Sequence, residues 1–265
     1  MGERVAGKVA MVFGGGQTPG ETIGNGRATA LVLAAEGATV VAVDRDLGSA
    51  EETAAMISEK GGTATATAAD VMDEAQVRAA IEACVREFGR LDILHNNIGA
   101  SLALGDAPAT DLDADAFDRL VAVNLRGMWF ACKHAIPVMR EQGGGSIVNI
   151  SSMAVRSPSP YLGYKATKAG VIALTENIAA ANARYNIRAN VILPGLMNTP
   201  MAIESRVAAG TPREEVVAAR DRQVPLGRKM GSGWDVAYAS LFLHSDEAKF
   251  ITGVSLPVDG GASVS

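Results

Sequence analysis

Two side chains capable of proton transfer, Tyr164 and Lys168, are four residues apart in a segment whose apolar residues repeat with helical spacing. Residues four positions apart lie on one face of a helix, so the ammonium group would lie near the phenol. A free phenol has a pKa of about 10, and a nearby ammonium group lowers that pKa because it stabilises the phenolate. Such a pair can act as an acid or a base near neutral pH, although a Tyr-x-x-x-Lys pair also occurs by chance on helix surfaces.

Two serines stand in a position to assist that chemistry. Ser151 and Ser152 directly follow a predicted strand, Ser146–Ile150, about a dozen residues before Tyr164. A hydroxyl group at the end of a strand can hold a carbonyl or alcohol oxygen. The combination points to proton exchange with the oxygen of a substrate.

A glycine-rich segment, residues 14–26, lies between the predicted strand Val9–Phe13 and a predicted helix over residues 25–36. Where such a segment meets a helix N-terminus, free backbone N–H groups and the helix dipole attract phosphate. The segment has neither the Gly-Lys-Ser/Thr ending of a Walker loop nor a strict GxGxxG sequence. A dinucleotide-binding loop is the favoured interpretation, and a purely structural turn is the alternative.

Asp44 follows the second predicted strand, Thr39–Val43, about 20 residues after the glycine-rich segment. A carboxylate at that point accepts hydrogen bonds from both ribose hydroxyls of an adenosine and repels a 2′-phosphate. It therefore favours NAD as the cofactor. Arg45 is the next residue and could bind a 2′-phosphate, which keeps NADP as the alternative.

The elements that must position these groups alternate along the chain. Short runs rich in Val and Ile alternate with longer segments of helical spacing, which predicts an α/β fold with a parallel sheet covered on both faces. No linker or repeat divides residues 1–265, so a single domain is expected. Strands are predicted at 9–13, 39–43, 63–69, 91–95, 146–150 and 188–193, and helices at 25–36, 47–60, 73–88, 115–142, 161–184 and 233–245.

The segment 199–228 follows the sixth predicted strand and is rich in Ala, Arg and Glu. It is interpreted either as a solvated surface helix or as a lid, because ligands in such sheets bind beyond the C-terminal ends of the strands.

Composition limits the possible functions. The 24 basic and 29 acidic residues give a net charge of −5, which argues against nucleic acid or an anionic membrane as a partner.

The cysteines and the absence of targeting signals bear on location. Cys84 and Cys132 form no disulfide framework, and neither a signal sequence nor a long apolar run is recognised, so a cytoplasmic protein is expected. No His or Cys residues have ligand spacing, so no metal site is expected, and His95 is interpreted as a packed core residue.

Together with other motifs, these residues give the chain a resemblance to the short-chain dehydrogenase/reductase family, and the resemblance covers essentially the whole chain. The resemblance implies a doubly wound, Rossmann-like sheet of about seven strands in the order 3-2-1-4-5-6-7, and hydride transfer between an alcohol carbon and a nicotinamide. The motifs are the glycine-rich segment, Asp70-Val71, Asn96-Asn97-Ile98-Gly99, Asn124, Ser152, Tyr164 with Lys168, Pro194-Gly195 with Thr199, and Ile251-Thr252-Gly253 followed by Val258-Asp259-Gly260-Gly261.

The resemblance also implies roles for individual residues. Tyr164 would exchange a proton with the substrate oxygen that Ser152 holds. Lys168 would bind the nicotinamide ribose, and Asn124 would hold a water that links Lys168 to solvent. Besides Tyr164 and Lys168, the implied cofactor-binding residues are Gly14, Gly24, Asn25, Gly26, Asp44, Asp70, Val71, Asn97, Gly99, Met197 and Thr199. The expected substrate pocket comprises Ser152, Met153, Tyr161 and Leu196, and a homotetramer or homodimer would form through the helices that begin near residues 115 and 161.

The chain departs from the family pattern at the glycine-rich segment and at the serines. Nine residues separate Gly14 from Gly24, so the first glycine of the motif is Gly14 or Gly20. Its place directly after the strand favours Gly14, with about six inserted residues. The usual separation of thirteen residues from Tyr164 belongs to Ser151, but Ser152 holds the second position of the serine pair and is the one expected to act.

The favoured function is an NAD(H)-dependent oxidoreductase that interconverts a secondary alcohol and a ketone, with a small cyclic, aromatic or aliphatic substrate. Two alternatives remain. Tyr161 is seven residues before Lys168, which is the spacing of the family's enoyl reductases and would mean reduction of a C=C bond. The other alternative is a protein that binds a nicotinamide cofactor without catalysing a reaction.

Overall fold

One parallel sheet of seven strands forms the centre of the computed structural model, which describes residues 2–265. The strands are β1 Val9–Phe13, β2 Thr39–Asp44, β3 Thr63–Ala68, β4 Ile93–Asn96, β5 Gly145–Ile150, β6 Ile187–Pro194 and β7 Ser255–Val258. Their order across the sheet is β3-β2-β1-β4-β5-β6-β7. The predicted fold class and strand order are therefore confirmed.

Helices cover both faces of the sheet. They are α1 Asn25–Ala35, α2 Leu47–Glu59, α3 Glu74–Phe88, α4 Ala114–Val121, α5 Gly127–Glu141, α6 Leu162–Asn182, α7 Pro200–Ala208, α8 Arg213–Asp221 and α9 Gly233–His244. Side chains from α3, α5 and α6 form the core on one face, and those from α1, α2 and α9 form it on the other. Strands that are buried on both faces explain why the central ones are nearly continuous runs of apolar residues.

The strand order places several chain segments at one edge of the sheet. β1 pairs with β2 on one side and with β4 on the other, so the chain changes direction across the sheet at β1. Because all strands run parallel, the residues that follow β1, β2, β4, β5 and β6 emerge at the same edge. Ligands of open α/β sheets bind at such a switch point.

The long helix predicted at 115–142 is interrupted. α4 and α5 are joined by a π-helical turn, Ala122–Arg126, whose dihedral angles remain helical at both ends. A π turn adds one residue to a helical turn and is frequent at functional sites. Asn124 lies within it and is completely buried.

The segment predicted as a lid, 199–228, contains two short helices, α7 and α8, instead of a single one. They pack on each other through a small apolar cluster of Ile203, Val216, Val224 and Met230. Pro200 occupies the first turn of α7, where its missing N–H group leaves no helical bond unmade.

Candidate active site

Lys168 is the most constrained cation of the site. Its side chain is buried, with 1% exposure, and its Nζ donates hydrogen bonds to the carbonyl oxygens of Ile98 at 2.7 Å and Ile150 at 2.8 Å. Burial lowers the pKa of Lys168 to about 7, because the charged form loses its hydration. A side chain at Gly99 would place its Cβ 2.8 Å from this Nζ, so only glycine leaves the lysine its position.

Tyr164 lies one turn before Lys168 on α6, with the lysine Nζ 5.6 Å from the centre of the phenol ring. Burial raises the pKa of the Tyr164 phenol, a hydrogen bond from Ser152 opposes that shift, and the charge of Asp106 adds to it. Burial has the largest effect on this pKa, and the expected lowering by Lys168 stays a prediction. Near neutral pH the phenol therefore carries its proton.

The two serines after β5 have different environments. The Ser151 hydroxyl is buried and donates a hydrogen bond of 2.8 Å to the backbone oxygen of Lys168. The Ser152 hydroxyl lies close enough to the Tyr164 phenol to lower its pKa, and it accepts a hydrogen bond of 3.1 Å from the backbone N–H of Ala154. The structure thus brings Ser152, and not Ser151, to the phenol.

Asn124 connects the segment after β4 to α6. Its side-chain oxygen accepts from the N–H of Ala100 at 2.8 Å, and its Nδ2 donates to the carbonyl oxygen of Ala100 at 2.9 Å and to Thr167 Oγ1 at 3.2 Å. These bonds hold Asn124 rigidly in the π turn. The role of water carrier that was expected for Asn124 remains a prediction.

The glycine-rich segment is folded back on itself. Gly14 has a φ of +70° and follows β1 directly, and a Cβ at Gly26 would collide with the carbonyl oxygen of Gly14. Gly24 precedes α1 without a side-chain cap, so N–H groups in the first turn of α1 have no side-chain partner. Gly20, the other candidate for the first glycine, lies against Pro200 of α7 instead. The uncapped first turn of α1, which follows this tight glycine turn, is of the kind that binds a pyrophosphate group.

The inserted residues are held by polar side chains. Gln17 accepts a hydrogen bond of 2.9 Å from the N–H of Gly24, which closes the loop. The carboxylate of Asp44, at the end of β2, accepts from the N–H of Gly16 at 3.1 Å, whereas Arg45 is exposed. A Cβ at Gly16 would lie 2.9 Å from Asp44 Oδ2, so the loop can approach this carboxylate only as glycine.

The other expected cofactor residues lie around the same edge of the sheet. Asp70 accepts a hydrogen bond from the N–H of Met72 at 2.9 Å, and Val71 packs closely on Gly127 of α5. Asn97 donates to the carbonyl oxygen of Gly14 at 3.4 Å.

The segment that follows β6 supplies two further expected residues. Met197 and Thr199 are buried there, and the backbone of Met197 pairs with Gly231. Asn25 Oδ1 is buried without a hydrogen-bond partner among residues 2–265.

The expected substrate walls flank Ser152 and the lid. Met153 is buried next to Ser152, Leu196 packs on the cluster between α7 and α8, and Tyr161 immediately precedes α6. Their role as substrate walls remains a prediction.

Comparisons with known proteins show which family the chain is similar to. A family model described as enoyl-(acyl carrier protein) reductase matches residues 21–263. Levodione reductase of Leifsonia aquatica is 37% identical over 263 residues, covering 98% of this chain and 96% of that protein. The 2,5-dichloro-2,5-cyclohexadiene-1,4-diol dehydrogenase LinX of Sphingobium indicum is 38% identical over 265 residues, covering 100% of this chain and 99% of that protein.

Among solved structures, carveol dehydrogenase from Mycobacterium avium in complex with NAD superposes with a TM-score of 0.90 at 31% identity, covering 99% of this chain and 100% of that one. The chain belongs to the short-chain dehydrogenase/reductase family. As a short-chain dehydrogenase/reductase it is an oxidoreductase that acts on CH–OH groups with a nicotinamide cofactor and interconverts a secondary alcohol and a ketone.

Two features of this short-chain dehydrogenase/reductase were missed in the sequence. Asp106 is buried and bonds to the backbone of Tyr164 at 3.0 Å. Arg213 of α8 forms ion pairs with Glu204 of α7 at 2.6 Å and with Glu21 of the glycine-rich segment at 3.3 Å. Neither could be found from spacing, since each joins residues that are far apart in the chain.

The histidines lie away from this site. His95 and His244 are buried and adjacent, with 3.4 Å between their ring nitrogens, and burial lowers the pKa of His95 to about 3. His134 contacts Glu74 on the surface between α3 and α5. Within residues 2–265 no group of three or more His, Cys, Asp or Glu side chains is arranged to hold a metal ion. No helix in the same range has the length and apolar character needed to cross a membrane.

Proposed function

We propose that this short-chain dehydrogenase/reductase uses NAD(H), and that Tyr164 is the acid and base of the reaction. The observation that carries the proposal is the convergence of the Ser152 hydroxyl, the Tyr164 phenol and the buried Lys168 at the edge of the sheet where the first turn of α1 has no side-chain cap. Asp44, which ends β2, supports NAD over NADP because its carboxylate would repel a 2′-phosphate.

The cofactor would be held along the strand ends. Gly14, Gly24, Asn25 and Gly26 would bind the pyrophosphate with backbone N–H groups, and Asp44 would bind the adenosine ribose. Asp70 and Val71 would flank the adenine, Asn97 and Gly99 would line the middle of the cofactor, and Lys168 would bind the nicotinamide ribose. Met197 and Thr199 would contact the carboxamide side. When bound, the nicotinamide accepts or supplies the hydride of the reaction.

The chain's own residues handle the proton. Ser152 orients the substrate oxygen next to Tyr164 Oη. In the reductive direction Tyr164 donates its proton to the carbonyl oxygen, and in the oxidative direction its phenolate takes the proton of the hydroxyl group. Because the pKa of Tyr164 is raised, the protonated phenol predominates at neutral pH, which suits reduction, and alcohol oxidation should become faster as the pH rises.

The substrate that fits best is a small alicyclic alcohol or ketone. Met153, Tyr161 and Leu196 supply apolar walls, and the segment 199–228 would close over them as a lid. LinX, one of the relatives, is named for a cyclohexadienediol. We therefore choose cyclohexenone as a probe, because it offers both a ring carbonyl and a C=C bond.

Cyclohexenone distinguishes the proposed function from the enoyl reductase alternative, in which Tyr161 donates the proton. With NADH, we expect the wild-type protein to form the ring alcohol, Tyr164→Phe to lose activity at least about a hundredfold, and Tyr161→Phe to retain most of it, since a general acid contributes about 10²–10⁴ in rate. The measurement is NADH consumption with chromatography of the product.

Formation of cyclohexanone together with loss of activity in Tyr161→Phe alone would establish the enoyl alternative instead. Tight NADH binding by a protein that reduces neither bond in any ring ketone tested would favour the non-catalytic alternative.

We also propose a homotetramer or homodimer, formed through the surface of α4, α5 and α6, in the cytoplasm. Phe117 and Trp129 leave exposed apolar surface on α4 and α5, and the thiols of Cys84 and Cys132 are unpaired and buried. Light scattering should give a multiple of the 27.3 kDa chain mass, and a monomer would contradict the assembly. Fractionation of expressing cells should recover the protein in the cytoplasmic extract, and its absence there would contradict the location.

A further inference from the structure

A buried carboxylate accepts a hydrogen bond from the backbone of Tyr164, the proposed acid of the reaction. Asp106 is only 6% exposed and belongs to the loop between β4 and α4. It accepts three hydrogen bonds, from the N–H of Gly163 at 2.9 Å, from the N–H of Tyr164 at 3.0 Å and from the Ser101 hydroxyl at 2.9 Å. Burial of a charge is costly unless it is paired in this way, so the position of Asp106 is well defined.

These bonds replace a local helix cap. α6 begins after Tyr161, whose side chain makes no capping hydrogen bond. The N–H of Leu162 bonds to the carbonyl oxygen of Ala107 at 3.1 Å, and the next two N–H groups bond to Asp106. The first turn of α6 is therefore held by a loop that precedes it by more than fifty residues in the chain. Because Tyr164 is the third residue of α6, its phenol moves with this turn.

Gly163 makes this approach possible. A Cβ at position 163 would lie 3.2 Å from Asp106 Oδ1 and 2.5 Å from Leu120 Cδ1 of α4. Any side chain there would displace either the carboxylate or α4. The close fit indicates that the contact between Asp106 and the start of α6 is built into the packing of α4 against α6.

The loop that carries Asp106 also holds the remaining polar groups of the site. Ile98 accepts the hydrogen bond of Lys168, Ala100 binds the amide of Asn124, and Ser101 binds Asp106. The segment 98–106 thus connects Lys168, Asn124 and Tyr164 in one continuous series of contacts.

The charges around the Tyr164 phenol come from three elements. α6 carries Lys168, whose Nζ is 5.6 Å from the ring centre, and Lys165, which follows Tyr164 directly and donates to the carbonyl oxygen of Ser157. The loop after β5 supplies the uncharged hydroxyl of Ser152. The loop after β4 supplies Asp106, and on α4 the Arg119 side chain lies near Gly105, beside that aspartate. Of the groups in residues 2–265 that affect the ionisation of this phenol, Asp106 is the carboxylate, and its negative charge favours the protonated form.

We propose that Asp106 is a positioning residue for Tyr164, which fixes the first turn of α6 and places its negative charge on the turn that carries the phenol. The inference rests on the proposed role of Tyr164 as acid and base. It predicts a pH effect that a purely structural cap would not produce.

The test is titration of the Tyr164 phenol itself. Near-ultraviolet absorbance of tyrosinate is recorded against pH for the wild-type protein and for Asp106→Asn, and the curve of the matching Tyr164→Phe variant is subtracted from each. Asp106→Asn keeps the shape of the side chain and removes its charge, so we expect the midpoint of the phenol to fall by about half a pH unit or more. Asp106→Glu restores the charge and should keep the midpoint near that of the wild type.

Asp113→Asn is the matched control, because Asp113 caps the start of α4 through the N–H groups of Asp115 at 2.8 Å and Ala116 at 3.3 Å but does not contact Tyr164. It should leave the midpoint of the phenol unchanged. Circular dichroism verifies that each variant is folded.

The same variants are assayed as cyclohexenone reductases with NADH. Asp106→Asn should move the alkaline loss of activity to lower pH by a similar amount and lower kcat at least threefold. A midpoint in Asp106→Asn that is equal to or above the wild-type value, or an alkaline loss of activity that does not move to lower pH, would overturn the proposal. Because the absorbance titration requires no turnover, a failure of the proposed function is recognised separately from a failure of this inference.

Discussion

Adjacent residues of the same type have different tasks at the end of β5. Ser151 stabilises α6 by bonding to the backbone oxygen of Lys168, whereas Ser152 reaches the phenol of Tyr164. The usual family spacing to Tyr164 would have selected Ser151, and the second position of the pair selected Ser152. Only the direction of each hydroxyl distinguishes the two.

Alanine substitution should separate these tasks. Ser152→Ala removes the group that would orient the substrate oxygen, so we expect kcat to fall about a hundredfold, while loss of its bond to the N–H of Ala154 lowers the free energy of unfolding by about 1 kcal/mol. Ser151→Ala should leave turnover within about threefold and reduce the free energy of unfolding by about 1 kcal/mol, because the Lys168 carbonyl within α6 loses its second, side-chain hydrogen bond. Steady-state kinetics and urea unfolding measure both quantities, and the reverse ranking of kcat would assign the role to Ser151.

At the scale of single residues, the sequence predicts the functional residues that belong to a motif. It does not predict residues that act through contacts between distant parts of the chain. Tyr164 and Lys168 are recognisable because four positions on a helix bring them together. Asp106 has no such signal, because its partners are backbone N–H groups of α6. The raised pKa of Tyr164 also escaped prediction, since it depends on how deeply the phenol is buried.

At the scale of elements, the inserted glycine-rich loop and the lid are joined. Arg213 of α8 pairs with Glu204 of α7 and with Glu21 of the loop, and a Cβ at Gly20 would lie 2.9 Å from Pro200 Cβ. The loop that would cover the pyrophosphate therefore touches the segment that would cover the substrate. Closing of either one is expected to restrict the other.

Arg213→Gln should loosen this connection. We expect the dissociation constant of NADH to rise about two- to fivefold, which is the scale of an ion pair close to solvent, with a larger effect at low salt. Arg78→Gln on α3 is the matched control, because Arg78 also faces a carboxylate, Glu82, but lies outside the site. Nicotinamide fluorescence measures the binding. Equal affinities for all three proteins would show that the loop and the lid act independently.

The periodicity of apolar residues predicted where helices lie more accurately than where a helix is interrupted. The spacing of apolar residues predicted one helix over 115–142, and the structure has α4, a π turn and α5. The extra residue of the turn changes the period only locally, so a helical pattern on both sides conceals it. Its consequence is the placement of Asn124, which the turn directs towards Ala100 and Thr167.

At the scale of the whole molecule, alternation of buried strands and helices was enough to predict the fold. Parallel strands buried on both faces leave few possible connections, and the strand order followed from the family resemblance. All proposed functional groups then lie at the C-terminal edge of the sheet. What the pattern could not give is the approach of residues 20 and 21 to α7 and α8, because it arises only when the loop after β1 and the segment after β6 reach the same side.

The proposal that the C-terminal edge of the sheet binds NAD is tested by titrating the purified protein with NADH and, separately, with NADPH. The nicotinamide fluorescence is recorded in both titrations. We expect NADH to bind at least about tenfold more tightly, because the Asp44 carboxylate would face the 2′-phosphate of NADPH. Asp44→Ser should reduce this preference by weakening NADH and strengthening NADPH binding. Tighter binding of NADPH would transfer the selection to Arg45 and contradict the NAD assignment, and binding of neither would mean that the inserted loop blocks the site and that the proposed function is wrong.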